Sequence, residues 1–260
     1  MTTLLLWEHP LSPYAQKVKI ALRLKGIPFE ARIPTGIGAD EVDRLAAANP
    51  RSEVPTLEHD GAHLFDSTVL LEYLEDRFPE PPLLPKEALA RARARTIEDV
   101  MDTHYEAINW GLGEVHYFQR AEGETREALL DAASRQTHAL QSWLERQLGA
   151  GPWFHGDSFG WADLSVVPYL NGSVGFDLGP QPESALADWL GRANALPEVA
   201  ETAQEAVDSI AGMAQVAELV RGGAFKRQYR DHRLEWMIKS GGLDVVVRGV
   251  DAGNVRFTEF

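Results

Sequence analysis

The chain has 260 residues, 44% hydrophobic and 25% charged, enough to bury a sizeable core as one large domain or two modest ones. Its 25 Lys and Arg against 39 Asp and Glu leave a net charge of −14, a balance that opposes nucleic acid and anionic lipid as partners. There is no cysteine, which excludes disulfides, thiolate metal sites and any thiol chemistry carried by the protein itself. The longest apolar runs, such as Leu4 to Trp7, are too short to span a membrane, and no leader pattern opens the chain, so a cytoplasmic location is expected.

The first eighty residues alternate strand and helix signals. Leu4 to Trp7 predicts a short buried strand ended by His9-Pro10. Ser12-Pro13 opens a helix that Gly26 closes: Tyr14, Val18, Ala21 and Leu22 recur at helical spacing, and Lys17, Lys19, Arg23 and Lys25 fill the gaps. Residues 28–33 alternate as a second strand, and Asp40 to Ala48 reads as a polar helix. Val54 to Leu57, the turn Asp60-Gly61 and Leu64-Phe65 predict a hairpin. From Ser67, the spacing of Val69, Leu70, Tyr73, Leu74 and Phe78 predicts a helix that Pro79 stops. The order βαβ-α-ββα implies a small mixed sheet with helices on its faces.

Residues 79–85, PEPPLLP, read as a linker. Helical patterns then cover 87–120, 125–148, 161–176, 183–195 and 197–213, with a kink in the first expected at Gly111 and Gly113. The resulting division is 1–78 for an α/β domain, 79–85 for the linker, 86–214 for an all-helical domain and 215–260 for an extension. In that extension a polar, Arg-rich helix over 226–239 is expected. A hairpin follows, with Asp244 to Val247 and Val255 to Phe257 as its strands.

Three places could carry chemistry. Ser12 sits where a first strand gives way to a helix, and unpaired N–H groups and the helix dipole there favour an anion; plain helix capping explains the same letters. A proline at Val54-Pro55 inside an apparent strand is compatible with an edge strand, or with a cis bond that would free the Val54 backbone to pair with an extended peptide. Asp66-Ser67 opening a helix suits an amino-acid head, Ser67 and the N–H groups for its carboxylate and Asp66 for its ammonium; an N-cap with a first-turn acid accounts for it equally well.

Taken in order, SPYAQKVKIALRLKGIPFE (12–30), NPRSEVPTLEHDG (49–61), LFDSTVLLEYLEDRFPE (64–80) and WFHGDSFGWADLSVVPYL (153–170) resemble the glutathione transferase superfamily over roughly residues 1–213. The resemblance implies a thioredoxin-like amino-terminal domain, an all-helical carboxy-terminal domain, glutathione as co-substrate, no metal, and a homodimer. It places Ser12 where the family has its catalytic Ser or Cys, and gives Val54, beside a cis-Pro55, the cysteinyl backbone of glutathione. Asp66 and Ser67 would hold the γ-glutamyl head. SPYAQK is similar to the motif of omega-like members with Ser in place of Cys, so conjugation by a stabilised thiolate replaces mixed-disulfide chemistry. The partner would be a small hydrophobic electrophile, with Tyr105 and Asn109 as candidate lining residues of its pocket.

Two positions depart from the family pattern. Glu53 stands where many members carry Lys or Gln, and Gly160 replaces the hydroxyl residue of a helix cap whose Asp163 remains. Competing readings are a non-catalytic scaffold of the same fold and a glutathione-dependent peroxidase. His59 and His63 straddle a predicted turn rather than one helical face, which argues against a metal site, and Gly36-Ile37-Gly38 is too short a motif to signal phosphate binding.

Overall fold

The computed structural model describes residues 4–34 and 39–257; the Gly36-Ile37-Gly38 motif lies outside the described residues. Four strands form one sheet in the order β2-β1-β3-β4: β1 (Leu4–Trp7), β2 (Phe29–Arg32), β3 (Thr56–His59) and β4 (Ala62–Phe65). β1 and β2 are parallel, joined through α1 (Pro13–Leu24), while β3 runs antiparallel to both β1 and β4. With α2 (Ala39–Ala48) and α3 (Ser67–Arg77) this is the expected thioredoxin-like arrangement.

The helical part follows. α4 (Ala88–Val100) passes through a π turn at Met101–Tyr105 into α5 (Glu106–His116), then come α6 (Gly123–Leu148), α7 (Trp161–Val174), α8 (Ala185–Asn194), α9 (Pro197–Ser209) and α10 (Met213–Arg221). α7 is apolar almost all round and buried almost throughout, as a central helix must be. One core, from Leu4 and Leu57 of the sheet to Trp161 and Trp189 of the helices, runs through both parts.

α1 lies at the seam, packed on α3 on one side and on α7 and α9 on the other. The cations that read as gap-fillers are therefore interior: Lys17 is 0% and Lys19 1% exposed. Lys17 pairs with Glu98 (2.6 Å) and Asp102, Lys19 with Glu8 and Glu205, and Arg23 with Glu201 and Glu205.

The long helix carries a π turn at Met101–Tyr105 and continues as α5 through Gly111 and Gly113. Gly111 serves a different purpose: a Cβ there would stand 2.1 Å from the ring of Trp236, so only glycine lets the extension seat its tryptophan on α5. The extension also departs from the expected hairpin. After β5 (Arg227–Gln228) come α11 (Asp231–Lys239), α12 (Leu243–Asp251) and β6 (Val255–Arg256), and β6 pairs parallel with β5. Val245 and Val246 of the predicted strand are helical and buried against Trp236 and Met237, a case of packing overriding the strand preference of a valine run.

At the start of α7 the missing cap hydroxyl is replaced. Nε2 of His155 accepts the Ala162 N–H (2.9 Å), while Asp163 accepts from the N–H of Gly160 (3.0 Å) and of Phe154 (3.1 Å). A Cβ at residue 160 would meet His155 Cδ2 at 2.5 Å and the Leu83 carbonyl at 2.7 Å, so the glycine makes room for the imidazole. Burial lowers the His155 pKa to about 4, keeping Nε2 an acceptor at neutral pH.

Candidate active site

The strand register gathers the three candidate places. Trp7 pairs with Thr56, and Thr56 with Phe65. One end of the sheet thus carries, side by side, the chain leaving β1 towards Ser12, the chain entering β3 through Val54 and Pro55, and the chain leaving β4 at Asp66 and Ser67.

Ser12 is the N-cap of α1, with Pro13 in the first turn and no acid near the helix start. Its Oγ accepts the Ala15 N–H at 3.3 Å, which uses a lone pair and leaves the O–H to donate elsewhere. The neighbouring hydroxyl, on Tyr14, is committed: it donates to the carbonyl of Asp102 (2.7 Å), and burial and the Glu106 charge raise its pKa. The Val54–Pro55 bond is cis, and the ladder begins at Thr56, so the Val54 backbone lies outside it. Asn49 Nδ2 and Thr56 Oγ1 both donate to the Glu53 carbonyl (2.9 Å each), which fixes the approach to Val54.

Asp66 caps α3, its Oδ1 accepting the N–H of Thr68 (3.1 Å) and Val69 (3.3 Å). Its φ of 77° is costly for a non-glycine residue, a strain of the kind that clusters at ligand sites. Ser67 is buried.

Beneath this edge lies a carboxylate that sequence reasoning did not single out. Glu98, 2% exposed, accepts from Lys17 Nζ (2.6 Å), Thr68 Oγ1 (2.9 Å) and Trp161 Nε1 (2.5 Å). It therefore ties the helices that begin at Ser12 and Ser67 to the helical domain. Asp102 accepts from Lys17 and from the Tyr169 hydroxyl (2.8 Å). Burial outweighs its attraction to Lys17, and with Glu98 repelling it as well, the Asp102 pKa rises to about 6. No local pattern marks these acids, because their partner Lys17 is more than eighty residues away.

Tyr105 and Asn109 are placed at a helix–helix seam. Tyr105 is wholly buried, its hydroxyl accepting from Gln141 and Ser173 (3.1 Å each). Asn109 donates to the Tyr169 carbonyl (2.8 Å) and accepts from Ser173 (3.0 Å). Their polar groups join the π turn and α5 to α6 and α7.

The extension reaches the lip of the site instead. Arg233 clamps Glu106 through its Nε and Nη2, and His232 adds a 2.9 Å contact to the same carboxylate. Arg227 pairs with Glu114. From this anchor Gln228 donates to the Glu53 carboxylate (2.5 Å), Arg256 donates to the carbonyls of Arg51 and Ser52 (3.3 Å each), and the Arg230 guanidinium lies 5.9 Å from the Tyr14 ring. The signal for this was an arginine at every third position, 227, 230 and 233, in an acidic chain.

Residues 6–82 match the family model for the glutathione S-transferase N-terminal domain, and residues 127–192 that for the C-terminal domain. Glutathione S-transferase 1 of Dianthus caryophyllus is 31% identical over 183 residues, 68% of this chain and 81% of that one. A probable maleylacetoacetate isomerase of Caenorhabditis elegans is 29% identical over 180 residues, 68% of this chain and 83% of its own. Among solved structures, a rice glutathione S-transferase in complex with glutathione superposes with a TM-score of 0.68 at 27% identity, over 84% of this chain and 97% of its own. A sheet edge that brings Ser12, Val54 and Asp66 together, a helical domain packed on α1 and these likenesses converge: the chain belongs to the glutathione S-transferase family and is a transferase-like enzyme.

Proposed function

We propose that the protein binds reduced glutathione along the end of the sheet and uses its thiolate to attack a small hydrophobic electrophile, by addition or by displacing a leaving group. The observation that carries this reading is the free donor capacity of the Ser12 hydroxyl at the start of α1. The cysteinyl backbone pairs with Val54, beside the cis-Pro55; the γ-glutamyl carboxylate meets Ser67 and the α3 N-terminus, and its ammonium meets Asp66.

A free thiol titrates near ~8.5, and lowering it by two units takes roughly 2.7 kcal/mol. A hydroxyl hydrogen bond to the charged sulfur, about 1.5–3 kcal/mol, with the N-terminus of α1 is of that size. Holding the thiolate next to the electrophile lowers the barrier further. Ser12→Ala is expected to cut turnover about 100-fold, with glutathione affinity changed far less. Unchanged turnover removes Ser12 from the mechanism.

Relatives named maleylacetoacetate isomerase support a second use of the same thiolate, reversible addition to an activated double bond. One assay separates the two, since conjugation consumes glutathione and isomerisation returns it. By the same kinship the protein is a homodimer located in the cytoplasm. A monomer mass by light scattering would contradict the first, and recovery in the membrane or extracellular fraction the second.

A further inference from the structure

Residues 49–53 lead into Val54, whose backbone lies outside the sheet ladder and is assigned above to glutathione. From the sheet side this loop is gripped by Asn49, which is 1% exposed. Its side chain donates to the Glu53 carbonyl (2.9 Å) and accepts the Arg51 N–H (3.0 Å), and its carbonyl accepts the Ser52 N–H (2.8 Å). Ser52 has a φ of 51°, in the left-handed region that a residue with a side chain seldom occupies, so the loop needs partners to keep this shape.

On the other side the partners belong to the extension. Arg256 of β6 donates to the carbonyls of Arg51 and Ser52 (3.3 Å each), and Gln228 of β5 donates to the Glu53 carboxylate (2.5 Å). The two side chains also meet, Arg256 Nη2 donating to Gln228 Oε1 (3.3 Å), and their strands are paired. Behind them Arg233, clamped to Glu106, donates Nη1 to the Gln228 carbonyl (3.1 Å). A continuous run of hydrogen bonds thus leads from Glu106 of α5 through Arg233 and Gln228 to Glu53, the residue before Val54. A cavity of about 480 Å³ opens between Arg51 and Glu53 of the loop and Tyr229, Leu234 and Phe257 of the extension, so polar contacts rather than close packing bridge that gap. Glu53, which departs from the family pattern, is the acceptor that receives the extension.

We propose that Gln228 and Arg256 are positioning residues for glutathione binding: they hold residues 51–53 in the shape that presents the Val54 backbone, so that docking of the extension and affinity for glutathione are coupled. The proposal rests on the glutathione reading above and brings into it a segment outside both matched family domains. Linkage is reciprocal. Bound glutathione fastens the extension by the same factor by which the docked extension tightens glutathione. Both side chains act on residues 51–53 and not on Ser12, so the acidity of the bound thiol does not depend on them.

The test combines calorimetric titration with reduced glutathione, the ultraviolet titration of the bound thiol, and hydrogen exchange with and without saturating glutathione. The proteins are the wild type, Gln228→Ala, Arg256→Ala, Arg256→Lys and the double alanine variant, with the exposed Arg248→Ala on α12 as control. Gln228→Ala and Arg256→Ala should each weaken glutathione about 5-fold or more, Arg256→Lys less than Arg256→Ala, and Arg248→Ala not at all, while the pKa of the bound thiol stays that of the wild type. In the wild type, glutathione should slow exchange at residues 227–233 and 254–257, and the double variant should lose most of that slowing. Wild-type affinity in both single alanine variants overturns the proposal, and so does a bound-thiol pKa that shifts in them. Exchange in the wild-type extension that ignores glutathione overturns it without recourse to any variant, and undiminished slowing in the double variant does so as well. Failure of the wild-type protein to bind glutathione overturns the glutathione reading instead, and the coupling falls with it.

Discussion

Two seams meet on the same long helix, and they are built from opposite charge balances. At the first, Glu98 and Asp102 of α4 and the π turn share the single ammonium of Lys17 and join the sheet domain to the helical one. At the second, Glu106 of α5 takes both Arg233 and His232 of the extension. The first seam has an acid too many, so Asp102 is pushed up to about 6; the second has bases to spare, and Arg233 and His232 outweigh burial to hold Glu106 at about 2. An ion pair left imbalanced inside a core depends on the apolar packing around it. A bidentate arginine clamp can itself fasten a late segment to a finished surface.

The sharpest way to break this comparison is to remove each hub acid. Glu98→Ala leaves Lys17 buried with only Asp102, unpins Thr68 and Trp161, and should cost about 3–5 kcal/mol of global stability in denaturant unfolding. Arg233→Ala strands Glu106, but the extension can lift away and let water reach it. The loss is therefore bounded near 3 kcal/mol and local: faster hydrogen exchange and proteolysis across residues 222–257, with the main unfolding transition nearly in place. If Arg233→Ala lowered the main transition as far as Glu98→Ala does, the two seams would not be different in kind.

Gly111→Ala tests the second seam without touching a charge. The added methyl cannot coexist with Trp236 in place, so a loss of about 1–3 kcal/mol and a change in tryptophan emission on release of α11 are expected. An unchanged spectrum would mean that Trp236 does not hold the extension down.

Acid should separate the seams by sign. Between its ordinary value of 3.8 and about 6, Asp102 binds a proton in the folded state that the unfolded chain has already released, so its contribution to stability grows as the pH falls through 6. Glu106 behaves oppositely. Its stabilisation is complete above 4.5 and drains away as the pH drops from 4.5 towards 2, so the extension loosens there. Asp102→Asn should flatten the stability profile between pH 4 and 6 by about 2 kcal/mol while leaving exchange in the extension unaltered.

The same contrast explains what the sequence could convey. The βαβ-α-ββα order, the capping of α1 by Ser12 and the turn at Asp60-Gly61 are written in neighbouring residues, where propensity and packing agree. Local letters also raised the cis bond at Pro55, though they did not decide it. The burial of Lys17 and Lys19 is invisible locally, because a lysine at helical spacing looks solvent-facing until Glu98, Asp102 and Glu205 arrive from far along the chain. Gly111 resembled a kink because its reason, Trp236, lies more than a hundred residues away. Val245 to Val247 resembled a strand because only the tertiary partners Trp236 and Met237 make a helix there worthwhile. Of the candidate site, Ser12, Val54, Asp66 and Ser67 could be named because each borders a predicted element; the extension's arginines acquire meaning only from where α11 docks.

Both seams adjoin Tyr14, two residues past the Ser12 hydroxyl on which the proposed chemistry turns, and the direct test is to titrate the bound thiol. The ultraviolet absorbance of the thiolate, followed against pH in the saturated complex, gives its pKa in the wild-type protein and in Ser12→Ala. A value about two units below the free thiol's ~8.5 in the wild type, returning most of the way in the variant, is the predicted result. A bound thiol that titrates like free glutathione in the wild type, or identically in both proteins, would contradict the account.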